Sequence, residues 1–281
     1  MKPIKKGFTT IELLTVLAII MLLVGIMLPA LKAVKDRARR AKQKAEFLSM
    51  DMALLTFKGD YGDYPPSYMH HDYNGSSKFV EAMLGRDLLG FNPNTQWVAV
   101  DDLYVDLSDP DDQATQEELE QRKDPYLDIA TARPFLVRDL YENADNWTTL
   151  DPWVYLLCDV FPIKRVSRGG ETTKAGTPIL YYKANTSNKT IRRGITPNKR
   201  TYSARDNFEL TTRTYSIVSG WKIEHPLGYR EGIDYPNFYD FITDPKVEST
   251  ARSYNPDSYI LISAGPDGLY GTGDDVTNFK D

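Results

Sequence analysis

The chain has 281 residues, a formal net charge of -5, and 26% charged against 41% hydrophobic residues, the profile of one or two globular domains, which excludes collagen-like, mucin-like and wholly disordered chains. A mean hydropathy of -0.44 excludes a polytopic membrane protein but leaves room for one span. Cys158 is the single cysteine, so an intramolecular disulfide, a thiolate zinc site and a two-cysteine redox motif are all excluded, and three histidines remain for imidazole chemistry.

The span lies at the amino terminus. Glu12 is the only ionisable residue from Phe8 to Leu31, and these 24 residues would extend about 36 Å as a helix, enough to cross a bilayer. Met1 to Gly7 forms a short head carrying Lys2, Lys5 and Lys6. Behind the span runs a basic stretch of Lys32, Lys35, Arg37, Arg39, Arg40, Lys42 and Lys44. A secretory signal peptide or plain signal anchor is the commoner explanation of such a stretch. Two details oppose it: no small-x-small site closes the apolar region, and Glu12 would cost about 2.5 to 3.5 kcal/mol on insertion into hydrocarbon.

Gly7-Phe8-Thr9-Thr10-Ile11-Glu12-Leu13-Leu14 resembles the class III signal of type IV pilins and type II secretion pseudopilins. The resemblance implies a leader over 1-7, cut between Gly7 and Phe8 by a prepilin peptidase, and N-methylation of Phe8. It also implies a membrane and polymerisation helix over 8-31, in which Pro29 occupies the position of the family's helix-loosening proline and removes one backbone hydrogen bond. Cleavage creates an amine at Phe8 one turn from Glu12, and in a stack of parallel helices the amine of an incoming subunit can pair with the Glu12 of its neighbour. Loss of the three leader lysines takes the charge to -8. Seven basic residues behind the span against three before it would by themselves put the carboxyl-terminal flank in the cytoplasm. The resemblance implies the opposite: a single-pass inner-membrane protein with its head in the periplasm, later a periplasmic or extracellular filament.

Val34, Ala38, Ala41, Ala45, Leu48, Met52 and Leu55 recur at spacings of four and three, which predicts one apolar seam on an amphipathic continuation of the helix over 32-58, its later turns packed on a sheet. The helix is expected to stop near Lys58-Gly59-Asp60, ahead of the breaker Tyr61-Gly62-Asp63-Tyr64-Pro65-Pro66. A similar glycine-aromatic-proline turn precedes a short helix in major pseudopilins, here expected over Ser77 to Leu84. Asp151-Pro152-Trp153 and Pro178-Ile179-Leu180-Tyr181-Tyr182 resemble two halves of one family stretch, separated here by 24 residues. β-Branched and aromatic runs at Ile179 to Tyr182, Thr214 to Ser219 and Tyr259 to Ser263 predict strands. The expected fold is therefore α+β: a long amino-terminal helix packed on a small antiparallel sheet in a head over 59-281. Leu89 to Asn146, Phe161 to Gly176 and Asn185 to Pro256 read as insertions.

The insertions are polarised. Asp101 to Asp128 holds eleven acids against Arg122 and Lys123, and Ile163 to Arg205 holds eleven basic residues against Glu171. They are either unrelated solvated loops or complementary surfaces that meet within or between subunits. DNA or anionic glycan ranks lower as a partner of the basic stretch.

Ser263 to Phe279 carries four glycines, a proline and Asp267, Asp274 and Asp275, a hard-oxygen set suited to calcium. The spacing is not that of an EF-hand, and three carboxylates with no lysine after the glycines oppose a phosphate loop. The segment resembles the calcium-binding carboxyl-terminal loop of major pseudopilins, implying Asp267, Asp274 and Asp275 as side-chain ligands and Ala264 as a backbone ligand. An acidic hairpin without metal is the alternative. His70-His71-Asp72 reads as an exposed loop, His225 precedes a proline and has no nucleophile beside it, and Cys158 reads as a structural thiol. No G-x-S-x-G, HExxH or nucleotide loop is present, so no enzyme is expected.

The function this implies is a structural subunit polymerised into a type II secretion pseudopilus, with itself, prepilin peptidase, minor pseudopilins, the inner-membrane assembly platform and, before assembly, membrane lipid as partners. Nucleic acid is not expected as a partner. The alternatives are a type IV pilus subunit for adhesion or DNA uptake and a membrane-tethered calcium-dependent binding module.

Overall fold

A computed structural model describes residues 10-68, 73-98, 103-106, 115-142, 144-147, 150-168, 170-188, 191, 200-212, 225-228, 236-247 and 251-280. Helix α1 (Thr10–Tyr61) is followed by α2 (Gly75–Leu84), the hairpin β1 (Thr95–Val98) and β2 (Leu103–Asp106), and the short helices α3 (Gln116–Glu120) and α4 (Ile129–Ala132). Next come β3 (Phe135–Leu136), α5 (Val137–Leu140), β4 (Tyr155–Leu156), β5 (Lys164–Arg168), β6 (Glu171–Ala175) and β7 (Leu180–Lys183). Helices α6 (Phe208–Thr212) and α7 (Pro236–Ile242) precede β8 (Tyr259–Ser263) and β9 (Val276–Thr277). The chain divides into two compact units, 1-42 and 43-281.

The second unit is organised around the antiparallel sheet β7-β8-β9, in which Tyr181 pairs with Leu261 and Ser263 with Val276. Two expected strands, Ile179 to Tyr182 and Tyr259 to Ser263, correspond to β7 and β8; Thr214 to Ser219 lies outside the described residues. Every residue of β8 is buried, because the sheet is covered on both faces. Alternation along the strands sends Tyr181, Tyr259 and Leu261 to a cluster with α1 and α2, and Leu180, Tyr182, Ile260 and Ile262 to a second cluster with Val137, Leu140, Leu210, Phe238 and Ile242. Val137, Leu140, Leu210, Phe238 and Ile242, all from regions read as insertions, thus pack on the far face of the sheet, whereas Leu127 and Phe161 from those regions join the cluster with α1 and α2.

The helix face against this sheet is not the expected seam. Phe47, Met50, Leu54 and Phe57 are buried, whereas Leu48, Met52 and Leu55 are 65%, 70% and 58% exposed. The helix carries two apolar stripes one residue out of phase. The stripe with two phenylalanines removes more apolar surface from water than one whose earlier turns are alanines, and it wins the sheet.

α1 also runs through Gly59 and ends at Tyr61, where Gly62 adopts a left-handed φ of 83° and returns its N–H to the carbonyl of Lys58 at 2.8 Å. The expected short helix begins two residues early, at Gly75, because Asn74 and Ser77 form a capping box: the Asn74 side chain accepts from Ser77 N at 2.8 Å, and Ser77 Oγ accepts from Asn74 N at 3.0 Å. A Cβ at Gly75 would stand 2.6 Å from the carbonyl oxygen of Tyr181, so close helix-to-strand packing requires glycine there.

The residues that follow the first half of the interrupted stretch pair with the start of the second. Ile179 donates to the Leu157 carbonyl at 2.8 Å and Asp159 to the Thr177 carbonyl at 2.8 Å, so the residues between them leave as the β5-β6 hairpin. Asp151, at the head of the first half, makes a buried ion pair with Arg86, which also donates to Tyr73.

Candidate functional site

The carboxyl-terminal loop starts where β8 ends. Ser263 Oγ donates to Asp159 Oδ2 at 2.8 Å and accepts from Gly265 N at 3.2 Å, turning the chain into a short 3-10 turn over Gly265–Asp267. Asp159 is buried and accepts two further bonds, from Phe161 N at 3.2 Å and Thr177 N at 3.1 Å. Burial pushes its carboxyl up to about 8 against these donors, so at neutral pH it is largely the protonated form that holds the base of the loop.

The far side is plugged by Tyr270, fully buried, whose hydroxyl donates to the Pro178 carbonyl and whose N–H donates to His225 Nδ1 at 3.1 Å. An accepting Nδ1 fixes His225 as the neutral Nε2–H tautomer. Its role is structural, as is that of Cys158, a buried thiol that burial pushes up and away from thiolate character. Asn278 closes the loop: its Oδ1 accepts from Leu261 N at 2.9 Å and its Nδ2 donates to Asp51 Oδ1 on α1 at 3.4 Å. Tyr259 donates to the same oxygen at 2.7 Å, so Asp51 ties the helix to both ends of the carboxyl-terminal segment.

Within this frame Asp267 Oδ1 accepts from Leu269 N at 2.8 Å, and Asp267 N donates to Asp274 Oδ2 at 3.1 Å. The Asp267 carboxyl is raised by burial and then by the negative charge of Asp274. Asp275 Oδ2 accepts from Gly271 N at 2.8 Å, its Oδ1 accepts from Thr272 N at 3.3 Å and lies 3.2 Å from Thr272 Oγ1, and burial pushes its carboxyl up to about 7. Thr272 Oγ1 donates to Asp274 Oδ1 at 2.5 Å. Ala264 is buried at the start of the turn. The donor chemistry suits a hard divalent cation, but among the described residues no three His, Cys, Asp or Glu are arranged around one point.

Gly7 and Phe8 lie outside the described residues, as do His70, His71 and Asp72. α1 continues without interruption through Pro29. Its most apolar 18-residue window has a mean hydropathy of 2.8 and no buried residue, making it long and apolar enough to cross a membrane. Glu12 sits in this exposed apolar run, with its carbonyl accepting from Thr15 Oγ1 at 2.9 Å.

Sequence reasoning missed Asp159, Asp51, Thr272 and Tyr270. Asp159 had a readable signal, a lone acid inside the apolar run Leu156-Leu157-Cys158-Asp159-Val160-Phe161. Asp51 and Tyr270 had none, because their partners are remote in sequence. Compared with known protein families, curated proteins and solved structures, the chain finds no match in any of the three.

Proposed function

We propose that the chain is a pilin-like structural subunit: a prepilin peptidase removes residues 1-7, Phe8 becomes the N-methylated amino terminus, and the processed chain polymerises into a type II secretion pseudopilus. The observation that carries the reading is the change of environment along α1. Ile11, Leu14, Met21 and Ile26 are all more than 60% exposed, whereas Phe47, Leu54 and Phe57 are buried in the head. An apolar helix bare on every side must be covered by lipid or by other helices, and a subunit stored in the inner membrane and then stacked into a fibre meets both conditions in turn. Glu12 would supply register by pairing its carboxylate with the Phe8 amine of a neighbour.

In the head, Asp267, Asp274 and Asp275 with the Ala264 carbonyl would hold calcium. The cation would relieve the Asp267–Asp274 repulsion and cross-link a loop that a one-cysteine chain cannot close with a disulfide. Coexpression with a prepilin peptidase and the assembly platform tests the reading. The expected outcome is a mature mass beginning at methylated Phe8, short periplasmic filaments, and loss of processing in Gly7→Leu. An uncleaved chain that stays monomeric in the membrane overturns it in favour of a tethered binding module, and long surface fibres overturn it in favour of a true pilus.

A further inference from the structure

The β5-β6 hairpin has a face that the head does not use. Val166 is buried and Lys164 Nζ donates to the Leu140 carbonyl at 2.7 Å, so this side of the ladder is turned to α5. The opposite side carries Arg165, Ser167, Thr172 and Lys174, all exposed. The register sets Arg165 directly opposite Lys174 and Ser167 directly opposite Thr172, with the two hydroxyls 3.2 Å apart. Like charges opposite one another in an antiparallel pair are destabilising, so this ladder holds two cations together at a cost that a bound anion would remove. The hairpin is also a two-stranded sheet by itself.

The anion of matching size is in the same sequence. Asp101 to Asp128 has eleven acids and two cations. Both cations are engaged by acids from outside the segment, Arg122 by Asp87 and Lys123 by Asp60, which leaves the segment's own excess uncompensated by them. Glu117 and Asp124 are exposed. The two surfaces hang from different parts of the head: Lys123 exchanges backbone hydrogen bonds with Phe91 at 2.9 and 3.0 Å, beside the end of α1, whereas the hairpin is fastened to Leu140. Two complementary patches at separate anchor points suit a contact that runs from one copy to the next and can repeat, since a heterologous interface propagates where an isologous one closes.

We propose that the outer face of the β5-β6 hairpin docks the acidic stretch Glu117 to Asp128 of a second copy of this chain. The ladder supplies two opposed cations and two hydroxyl donors to carboxylates of the neighbour, with low salt favouring the contact and high salt releasing it. The contact needs neither leader cleavage nor calcium, so it can fail while the filament reading stands.

The test uses the full chain in detergent micelles, mixing copies that carry Lys174→Cys with copies that carry Glu117→Cys; the native Cys158 is buried. Mild oxidation at about 0.05 M salt should yield a mixed disulfide dimer, its yield dropping at least tenfold at about 0.5 M salt, where exposed charges are screened. Adding Arg165→Glu to the Lys174→Cys copies should also lower the yield at least tenfold, and reversing Asp124→Lys as well in the Glu117→Cys copies should restore part of it. All four side chains are exposed, so unchanged melting curves serve as the folding control. A chain carrying both cysteines that links within itself, a yield indifferent to charge reversal, or retention of DNA or heparin by the hairpin with no mixed dimer would each overturn the proposal.

Discussion

Leu54 and Leu55 are neighbours on α1 with opposite fates, 0% and 58% exposed, and they separate head stability from assembly in one comparison. Leu54→Ala removes a side chain enclosed by the cluster that contains Phe79, Tyr181 and Leu261, and so creates a cavity. Truncation of a fully buried leucine costs about 3 to 5 kcal/mol, and at about 2 to 4 °C per kcal/mol for a domain of this size the melting temperature should fall by about 6 to 20 °C. Leu55→Ala changes a side chain already in water and should stay within about 0.5 kcal/mol. If the stripe of Leu48, Met52 and Leu55 is covered by a neighbouring subunit, however, Leu55→Ala should reduce filament yield while its melting curve stays that of the parent. The assays are thermal unfolding of the full chain in detergent followed by near-ultraviolet circular dichroism, and filament yield after coexpression with the assembly machinery. Equal destabilisation by the two substitutions, or a larger loss from Leu55→Ala, would refute the assignment of the helix faces.

Two further outcomes follow from the buried acids. Calcium at about one hundred times its dissociation constant should stabilise the head by about 2.7 kcal/mol, a rise of about 5 to 11 °C that Asp274→Asn abolishes; identical melting in calcium and in chelator would dismiss the metal. Asp206 is buried, accepts from Ser67 Oγ at 2.5 Å, and is pushed up to about 7 by burial, with the Lys78 charge opposing the rise. Its folded value lies above its unfolded one, so its contribution to stability is complete below about pH 4 and is lost as pH rises toward 7 and beyond. Asp206→Asn should therefore match or fall slightly below the parent at pH 4 and surpass it at pH 8, by an amount bounded at about 4 kcal/mol; a parallel pH dependence in the two proteins would contradict the buried-acid account.

Much of the fold was readable because it is local. The breaker from Tyr61 to Pro66 and the apolar runs of β7 and β8 each announce an element through residues close together in the chain, whereas the capping pair Asn74 and Ser77, equally local, was not read and the start of α2 was missed by two residues. The interrupted stretch around Asp151 to Tyr182 was readable as two halves, but the hairpin between them was not foreseen as a ladder. β3, β4 and β9 are two residues long and have no periodicity to detect. In the acidic loop the residue types were visible and their mutual placement was not.

By itself the sequence determined a long amino-terminal helix with a single acid in its apolar run, a head without a possible disulfide, and insertions of opposite charge. These are matters of composition and short spacing. Tertiary structure alone decided which stripe of α1 meets the sheet, that the sheet is buried on both faces, and that Asp159, Asp51 and Tyr270 frame the carboxyl-terminal loop. The physical reason is that two apolar stripes on one helix satisfy the same periodicity equally well. Only the area each can bury against β7 and β8, residues far along the chain, chooses between them.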